Sequence, residues 1–400
     1  MPLHDPAHAF MPYPDVPVPQ AGSGPLAGLR FGVKDLFDVA GSPTSGGQPL
    51  LLALSGLKTR HAATVQKLLD AGAAFGGKTI TDELAFSMNG NNAHFGAPLN
   101  GGAPERITGG SSSGSASAVS NRLVDFALGT DTGGSVRAPA SHCGLVGLRP
   151  THGRVSLEGC LDLSPSFDTC GWFTRDVATF ARVADVLLGE DTGHALQGPR
   201  LRLLAPTDAW AFAAPVAADA FAAARRRVEA ALGAAMPCEV VPDGDADAMY
   251  WHYRHVQGRE AWMTDGAFIE RHAPPLGPGV AERFAWAREV SDAQVAAGQA
   301  FRERLRTQLR QQLGEGGVLL LPTMPDIAPL RSDSEAALED YRNRALRLLC
   351  LAGLAGLPQL SLPWATRLGA PLGLSLVGPP GSDRALVRLA ERVAAAGAAG

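Results

Sequence analysis

The chain has 400 residues, of which 46% are hydrophobic and 18% are charged, a composition typical of a protein that buries a large core. The net charge of −4 and the scattered basic residues give no basic face, which argues against binding of nucleic acid or of an anionic membrane surface. Five cysteines without CxxC or metal-ligand spacing indicate reduced thiols in a cytoplasmic protein, and no apolar run is long enough to span a bilayer.

The chain begins with a Pro- and Gly-rich arm, residues 1–27, which we expect to lie over the surface. Residues 29–33 predict a short strand that runs into Lys34. Apolar residues at helical spacing predict a helix over 59–69, and 74–78 is typical of the next strand. This strand–helix–strand order favours an α/β fold.

A segment dominated by Gly, Asn, Ser and Pro spans residues 90–114. It is too long for an idle connection in a compact domain, which indicates a functional loop. After it, a helix of small residues is predicted from Ser115, followed by a buried strand over 124–128. A further helix is predicted over 175–188, with Thr174 as its N-cap.

Residues 209–314 differ in composition, because they are rich in Ala and Arg, mostly helical in pattern, and carry four of the six tryptophans. The α/β pattern then returns over 318–396. Its predicted elements are strands at 318–321, 359–362 and 372–377 and helices at 336–351 and 383–394. No repeat or low-complexity linker separates these parts, so we predict one domain over 28–400, with its core motifs in 32–188 and a helical region that forms the substrate pocket.

Three Gly- and Ser-rich segments are candidates for chemistry. They are GVKD at 32–35, GGSSSGS at 109–115 and GTDTGGSVR at 129–137. Such loops are often simple turns, and they can also bind phosphate through backbone N–H groups. Neither long loop matches the nucleotide-binding patterns G-x-x-x-x-G-K-[ST] or G-x-G-x-x-G, so nucleotide binding is the weaker hypothesis.

A nucleophilic site explains more of these features together. Amide hydrolysis needs an activated hydroxyl, a proton carrier and donors aimed at the developing oxyanion. Ser135 offers the hydroxyl, and the two glycines before it leave consecutive backbone N–H groups unobstructed. Ser111 and Ser112, on the neighbouring loop, offer hydroxyls that can pass a proton.

Lys34 is the candidate terminal base, since it follows an apolar run. A lysine acts as a base near neutral pH only if the fold lowers its pKa, which burial away from carboxylates would do. Asp35 would oppose this, although adjacent side chains on an extended strand point to opposite sides. An ordinary surface lysine is the alternative interpretation.

The segment TGGSSSGSASAVSNRLVDFALGTDTGGSVRAPASHCGLVGLRPTHGRVS closely resembles the core of the amidase signature family. Further matches are GVKDLFDVAG near the N-terminus, LLLPTMPDIAP at 319–329, and LAGLAGLPQLSLPW with GAPLGLSLVGPPGSDRALVRLAERV at the end. Segments DELAFSMNGNNAHFG and SFDTCGWFTRD are most similar to the plant indole-3-acetamide amidases and their bacterial relatives.

The resemblance implies a single α/β/α domain with a large mixed, twisted sheet flanked by helices, and hydrolysis of an amide without a cofactor or metal. Ser135 matches the nucleophile, Lys34 the base, and Ser111 a serine that follows a cis peptide bond and bridges the other two. The implied oxyanion-hole donors are the N–H groups of Thr132, Gly133, Gly134 and Ser135. The implied supporting residues are Ser112, Ser115, Asp131 and Arg137.

Substrate identity is open, because the helical region is abbreviated relative to the family and Ser113 stands where most members have glycine. We expect the pocket to include Met88 and four residues of the helical region. This group of four is Trp251, Tyr253, Gln257 and Trp262. Its aromatic content favours an aryl- or alkyl-acetamide, although these aromatics are as readily explained as core. The rival functions are a glutamine amidotransferase A-type subunit and a non-catalytic amidase-like binding protein; a homodimer is possible.

Overall fold

The computed structural model describes residues 5–192, 196 and 200–398. Ten strands in this part of the chain join into one sheet. The strands are β1 (Arg30–Lys34), β2 (Ala74–Thr79), β3 (Phe126–Thr130), β4 (Val146–Arg149), β5 (Cys170–Thr174), β6 (Arg202–Pro206), β7 (Met236–Cys238), β8 (Gly317–Pro322), β9 (Gln359–Arg367) and β10 (Ala370–Val377).

Helices cover this sheet on both sides. The helices are α1 (Pro49–Ser55), α2 (Ala63–Asp70), α3 (Ser113–Ser120), α4 (Arg137–Cys143), α5 (Val177–Leu187), α6 (Thr207–Trp210), α7 (Ala218–Leu232), α8 (Ala246–His272), α9 (Val280–Arg288), α10 (Asp292–Leu313), α11 (Glu335–Ala355) and α12 (Asp383–Ala398). Within the described ranges, each helix is too short or too polar to cross a bilayer.

The strand order is β2-β1-β3-β5-β4-β9-β10-β8-β6-β7. The first three strands are parallel, the middle of the sheet is antiparallel, and β8, β6 and β7 are parallel again. The predicted mixed sheet is therefore confirmed. The strands omitted from the prediction are β4, β5, β6 and β7.

Alternation along the strands divides the core into two layers. Val318 and Leu320 of β8 pack with helices α2, α5, α7 and α12 in one cluster, while Leu319 and Leu321 face α8, α10 and α11 on the other side. Successive strand residues point to opposite faces, so a continuous apolar strand supplies both layers. The predicted α/β/α architecture follows from this arrangement.

Several predicted boundaries are wrong: α2 begins at Ala63 and not at residue 59, and β9 extends to Arg367 and not only to residue 362. β3 begins at Phe126, opposite Phe31 of β1, and extends to Thr130 because β5 pairs with it as far as Cys170. The N-cap of α5 is Asp176, whose carboxylate accepts the N–H of Thr179 at 2.7 Å, and not Thr174. A carboxylate one residue before the helix satisfies a free N–H and also suits the positive helix end.

The described part of the N-terminal arm runs beside the edge strand β2. The N–H of Met11 donates to the carbonyl of Lys78 at 2.8 Å, and the N–H of Ile80 donates to Ala9 at 2.9 Å. These bonds satisfy backbone groups that an exposed edge would leave open. At this same carboxyl end of β2, the N–H of Gly114 donates to the carbonyl of Ile80 at 2.9 Å, so the first long Gly-rich loop also meets the strand here.

Candidate active site

Lys34 lies at the carboxyl end of β1 and is fully buried. Its Nζ donates to Ser111 Oγ at 2.7 Å and to Thr130 Oγ1 at 2.8 Å. Thr130 ends β3, the parallel neighbour of β1, so the sheet itself brings these two side chains together. The amine is thus held by two hydroxyls.

Burial lowers the pKa of Lys34 to about 8, because a charged ammonium is disfavoured away from water. More distant carboxylates, led by Asp82, oppose this shift. Asp35 makes no bond to Lys34. Its carboxylate pairs with Lys78 at 2.7 Å and accepts the hydroxyl of Tyr13 at 2.6 Å, which confirms that neighbouring strand residues point apart.

The Ser111 loop is fixed by the elements around it. The peptide bond between Gly110 and Ser111 is cis, and the Ser111 carbonyl accepts the N–H of Asp82 at 3.0 Å and the hydroxyl of Thr81 at 3.1 Å. Ser111 immediately precedes Ser112, the N-cap residue of α3. The side chain of Ser111 is therefore held beside Lys34 by its own buried backbone.

Ser112 and Ser115 connect this loop to its surroundings. The N–H of Ser112 donates to the carbonyl of Ser135 at 3.3 Å, which sets the two Gly-rich loops side by side. The Ser112 hydroxyl bonds to the backbone of Thr130, and that of Ser115 donates to the carbonyl of Leu128 at 2.7 Å. Both serines thus hold the α3 start against β3.

Asp131 organises the loop that carries Ser135. Its carboxylate accepts the N–H groups of Gly134, Val136 and Arg137, and it pairs with the guanidinium of Arg137 at 2.7 Å and that of Arg149 at 3.2 Å. Burial alone would raise the pKa of Asp131, but Arg137 and then Arg149 hold it well below its ordinary value.

The variant Asp131→Asn is expected to destabilise the fold by about 3–5 kcal/mol, because two buried guanidiniums lose their carboxylate. Urea unfolding followed by circular dichroism measures this loss. The matched control is Asp340→Asn, which breaks only an exposed pair with Arg344 and should leave the midpoint almost unchanged. Equal midpoints for the two variants would contradict the bracing role of Asp131.

The implied set of four oxyanion donors needs one correction. The N–H of Gly134 is already bonded to Asp131 Oδ1 at 3.0 Å, so it does not point freely into the site. Within the described residues, the N–H groups of Thr132, Gly133 and Ser135 have no hydrogen-bond acceptor. Gly134 has a φ of +125°, a backbone conformation that favours glycine.

A small cavity opens beside this loop, with Ser135 at its wall and 6% exposed. Tyr253 and Gln257 of α8 and Arg342 and Leu346 of α11 line it as well. The remaining lining residues are Ala85, Phe86, Ser87, Met88, Thr132, Gly133 and Leu163. Among the residues expected to form the pocket, the structure brings Met88, Tyr253 and Gln257 to the nucleophile loop.

Trp251 and Trp262 are not brought to this cavity. Tyr253 and Gln257 are four residues apart and share one face of α8, whereas the two tryptophans lie on other faces. Trp251 is 46% exposed, and Trp262 packs beside Gly266 against an apolar cluster that includes Phe86 and Leu163, without itself lining the cavity. Two of the aromatic side chains expected in the pocket, Trp251 and Trp262, therefore do not line the cavity.

Several residues of the site were missing from the prediction: Thr130, Arg149 and Arg342, and the cavity-lining residues Ala85, Phe86, Ser87, Leu163 and Leu346. Thr130 had a usable signal, because it ends the strand that follows the Ser111 loop and so meets the end of β1. Arg149 lies close to Arg137 along the chain, but its strand β4 was not predicted. Arg342 had no signal, since it contacts the site from α11, far along the chain. Ser113, the departure from the family pattern, is buried with its hydroxyl unbonded within the described residues.

Comparisons with known proteins agree with this geometry. A family model described as Amidase matches residues 15–209 and 263–387. Amidase 1 of Arabidopsis thaliana is 39% identical over 398 residues, which covers 92% of this chain and 93% of that protein. Amidase 1 of Oryza sativa subsp. japonica is 36% identical over 411 residues, covering 96% and 94%.

A solved structure described as a crystal structure of amidase is similar throughout, with a TM-score of 0.82 and 32% sequence identity over 93% of this chain and 85% of that one. The family match includes β1 and both Gly-rich loops. The sequence match and the similarity of fold therefore indicate the same family, and the arrangement around Lys34 is consistent with it. The chain belongs to the amidase signature family of hydrolases.

Proposed function

We propose that the chain hydrolyses the C–N bond of a small carboxamide to a carboxylate and ammonia through an acyl-serine on Ser135. One observation carries the proposal: a fully buried lysine amine bonds to two hydroxyls and, among the residues that the structure describes, to no carboxylate. Such an amine loses its proton at a lower pH than a free lysine and can serve as a base.

In the first half-reaction, neutral Lys34 accepts a proton from Ser111, and Ser111 accepts one from Ser135 as the serine oxygen attacks the amide carbon. Thr130 Oγ1 accepts an N–H of the neutral amine and so keeps it oriented. The lone pair of Nζ can then face the Ser111 hydroxyl and accept its proton. The N–H groups of Thr132, Gly133 and Ser135 then stabilise the oxyanion.

The second half returns these groups to their starting state. The proton on Lys34 passes back through Ser111 to the leaving nitrogen, and ammonia departs from the acyl-serine. Water then attacks the acyl carbon with the same relay as its base, and the carboxylate leaves. No step of this scheme requires a metal or an organic cofactor.

The variant Gly133→Ala tests the oxyanion loop. Its Cβ would lie 2.2 Å from the Tyr253 hydroxyl, so the loop must shift and kcat/KM should fall about 100-fold. Steady-state kinetics measure this, with Gly22→Ala as a control because nothing lies within 4 Å of that position. In the double variant with Tyr253→Phe, the nearest tyrosine ring atom is 3.2 Å away, and part of the activity should return. Unchanged kinetics in Gly133→Ala would remove this loop from the mechanism.

The rival functions have weaker support. A non-catalytic binding protein has no need of a depressed lysine pKa or of free N–H donors beside a serine, and all three proposed catalytic residues are present. An amidotransferase subunit would require a partner, and the chain offers no basic face for tRNA. A homodimer and a cytoplasmic location stay predictions, as does the division into an arm and one domain.

The purified chain alone tests the proposal. Ammonia and carboxylate are measured over a panel of acetamide, benzamide, phenylacetamide, indole-3-acetamide and malonamate. We expect equal amounts of both products from at least one amide, without added partner, metal or nucleotide. Release of ammonia only in the presence of a tRNA-dependent partner would favour the amidotransferase instead, and no release under either condition would favour the binding protein.

A further inference from the structure

Three polar side chains line the cavity that Ser135 also lines, and each has one buried polar atom without a hydrogen-bond partner among the described residues. They are Tyr253, Gln257 and Arg342, all buried, with Arg342 only 4% exposed. Within the described residues, Tyr253 Oη, Gln257 Oε1 and Arg342 Nε have no hydrogen-bond partner. Buried polar atoms normally find partners, so this wall of the cavity is suited to a polar ligand.

The charge on this wall is positive. Glu339 accepts a bond from Arg342 Nη1 at 3.0 Å, but this carboxylate is 43% exposed and also faces Arg283 at 3.8 Å. Arg254 lies close enough to Arg342 and Arg283 for its charge to interact with the charges of both guanidiniums. Burial, and then the neighbouring Arg342, lower the pKa of Arg283 to about 9 and also lower that of Arg254. Three guanidiniums against the carboxyl groups of Glu339 and the buried Asp82 leave an excess of positive charge beside the cavity.

The free edge of Arg342 has the shape that binds a carboxylate. Glu339 occupies Nη1, and no described residue bonds to Nε or Nη2. These two nitrogens form the parallel pair of donors that a carboxylate accepts in a bidentate manner. The apolar lining residues Phe86, Met88 and Leu346 can contact a short methylene chain between the two polar ends.

We propose, building on hydrolysis at Ser135, that the substrate is the monoamide of a short dicarboxylic acid and that Arg342 binds its free carboxylate. Tyr253 lies at the reacting end, next to Gly133, and Gln257 lies one helical turn, about 6 Å, further along α8. Tyr253 and Gln257 fall in 210–262, outside the family match, whereas Arg342 falls inside it, so only the α8 side of this wall comes from a part of the chain that the family pattern leaves open. This substrate class differs from the aryl- or alkyl-acetamide expected from the sequence.

Matched substrate pairs test the proposal. Succinamate is compared with butyramide, and glutaramate with valeramide, so that each pair differs in the carboxylate. We expect the acid of at least one pair to be preferred about 100-fold in kcat/KM by the unmodified enzyme. Arg342→Met should lose about 100-fold on that acid and less than 3-fold on the neutral amide, and Arg342→Lys should lie between.

Arg344→Met is the matched control, because Arg344 lies two residues away on α11, is exposed and pairs with Asp340. It should keep the full preference. If Arg342→Met fails to fold, inhibition of the unmodified enzyme gives the second test: glutarate should inhibit valeramide hydrolysis, and 1,5-pentanediol at the same concentration should not.

The two proposals fail in different ways. The carboxylate site is overturned if neutral amides are hydrolysed as fast as the acids or faster. It is also overturned if the Arg342→Met variant keeps the preference for the acid. Either result leaves the proposed hydrolysis at Ser135 intact. Equal inhibition by glutarate and pentanediol also overturns the carboxylate site. Failure to release ammonia from either class of amide overturns the proposed function first.

Discussion

Replacing Ser135 by alanine is expected to abolish amide hydrolysis, with a loss in kcat on the order of 10⁵-fold or more. The variant keeps the loop and its N–H donors but has no atom that can form the acyl intermediate. Ser135 is small and makes no side-chain hydrogen bond within the described residues, so the thermal midpoint should move by no more than about 2 °C. Ammonia release and differential scanning fluorimetry measure the two effects.

Ser113→Ala is the control for this variant. Ser113 is also buried, two residues after Ser111, but its hydroxyl makes no hydrogen bond of ordinary length and angle within the described residues. Removing an unsatisfied buried hydroxyl costs little, so both kcat/KM and the thermal midpoint should stay close to those of the unmodified enzyme. Retention of even one hundredth of the activity in Ser135→Ala would show that another group attacks the amide.

Replacing Lys34 by methionine is expected to produce a loss of similar size, on the order of 10⁴-fold or more, because Ser111 then has no acceptor for its proton. Methionine has a similar length and suits a fully buried position, so the protein should remain folded. Kinetics and circular dichroism measure these outcomes. Lys67→Met, at an exposed position on α2, should retain activity. An active Lys34→Met variant would show that Lys34 has only a structural role.

The pH dependence of the unmodified enzyme follows from the same residue. Below its pKa of about 8, Lys34 is protonated and cannot accept a proton; above it, the amine is neutral. The value of kcat/KM for a neutral amide should therefore rise about tenfold per pH unit below 8 and level off above it. A flat profile between pH 6 and 9 would mean that no base titrates there.

The sequence predicted the residues that meet at the carboxyl end of β1 better than those that line the cavity. Lys34, Ser111 and Ser135 lie in short motifs whose spacing is local, and β1 and β3 are strands with a clear apolar pattern. Parallel strands that end at the same edge of a sheet bring such motifs together. Contacts that depend on that edge, including the bond from Lys34 to Thr130, can be inferred once the strand order is known.

The pocket wall was harder to predict, for a physical reason. α8 has polar and apolar residues around its whole circumference, so its pattern does not reveal which face meets the nucleophile. Tyr253 and Gln257 share the inner face, and the more conspicuous Trp251 does not. Arg342 lies on α11 among several other arginines, and only tertiary packing distinguishes it from the exposed Arg344.

The most direct test of the account is the rate at which a fluorophosphonate modifies the protein, followed by peptide mapping. The account predicts a single adduct on Ser135, formed faster as the pH rises through about 8, and formed at least 100-fold more slowly in Lys34→Met. An adduct on a different residue, or an equal rate in Lys34→Met, would contradict the claim that a buried neutral amine activates this serine.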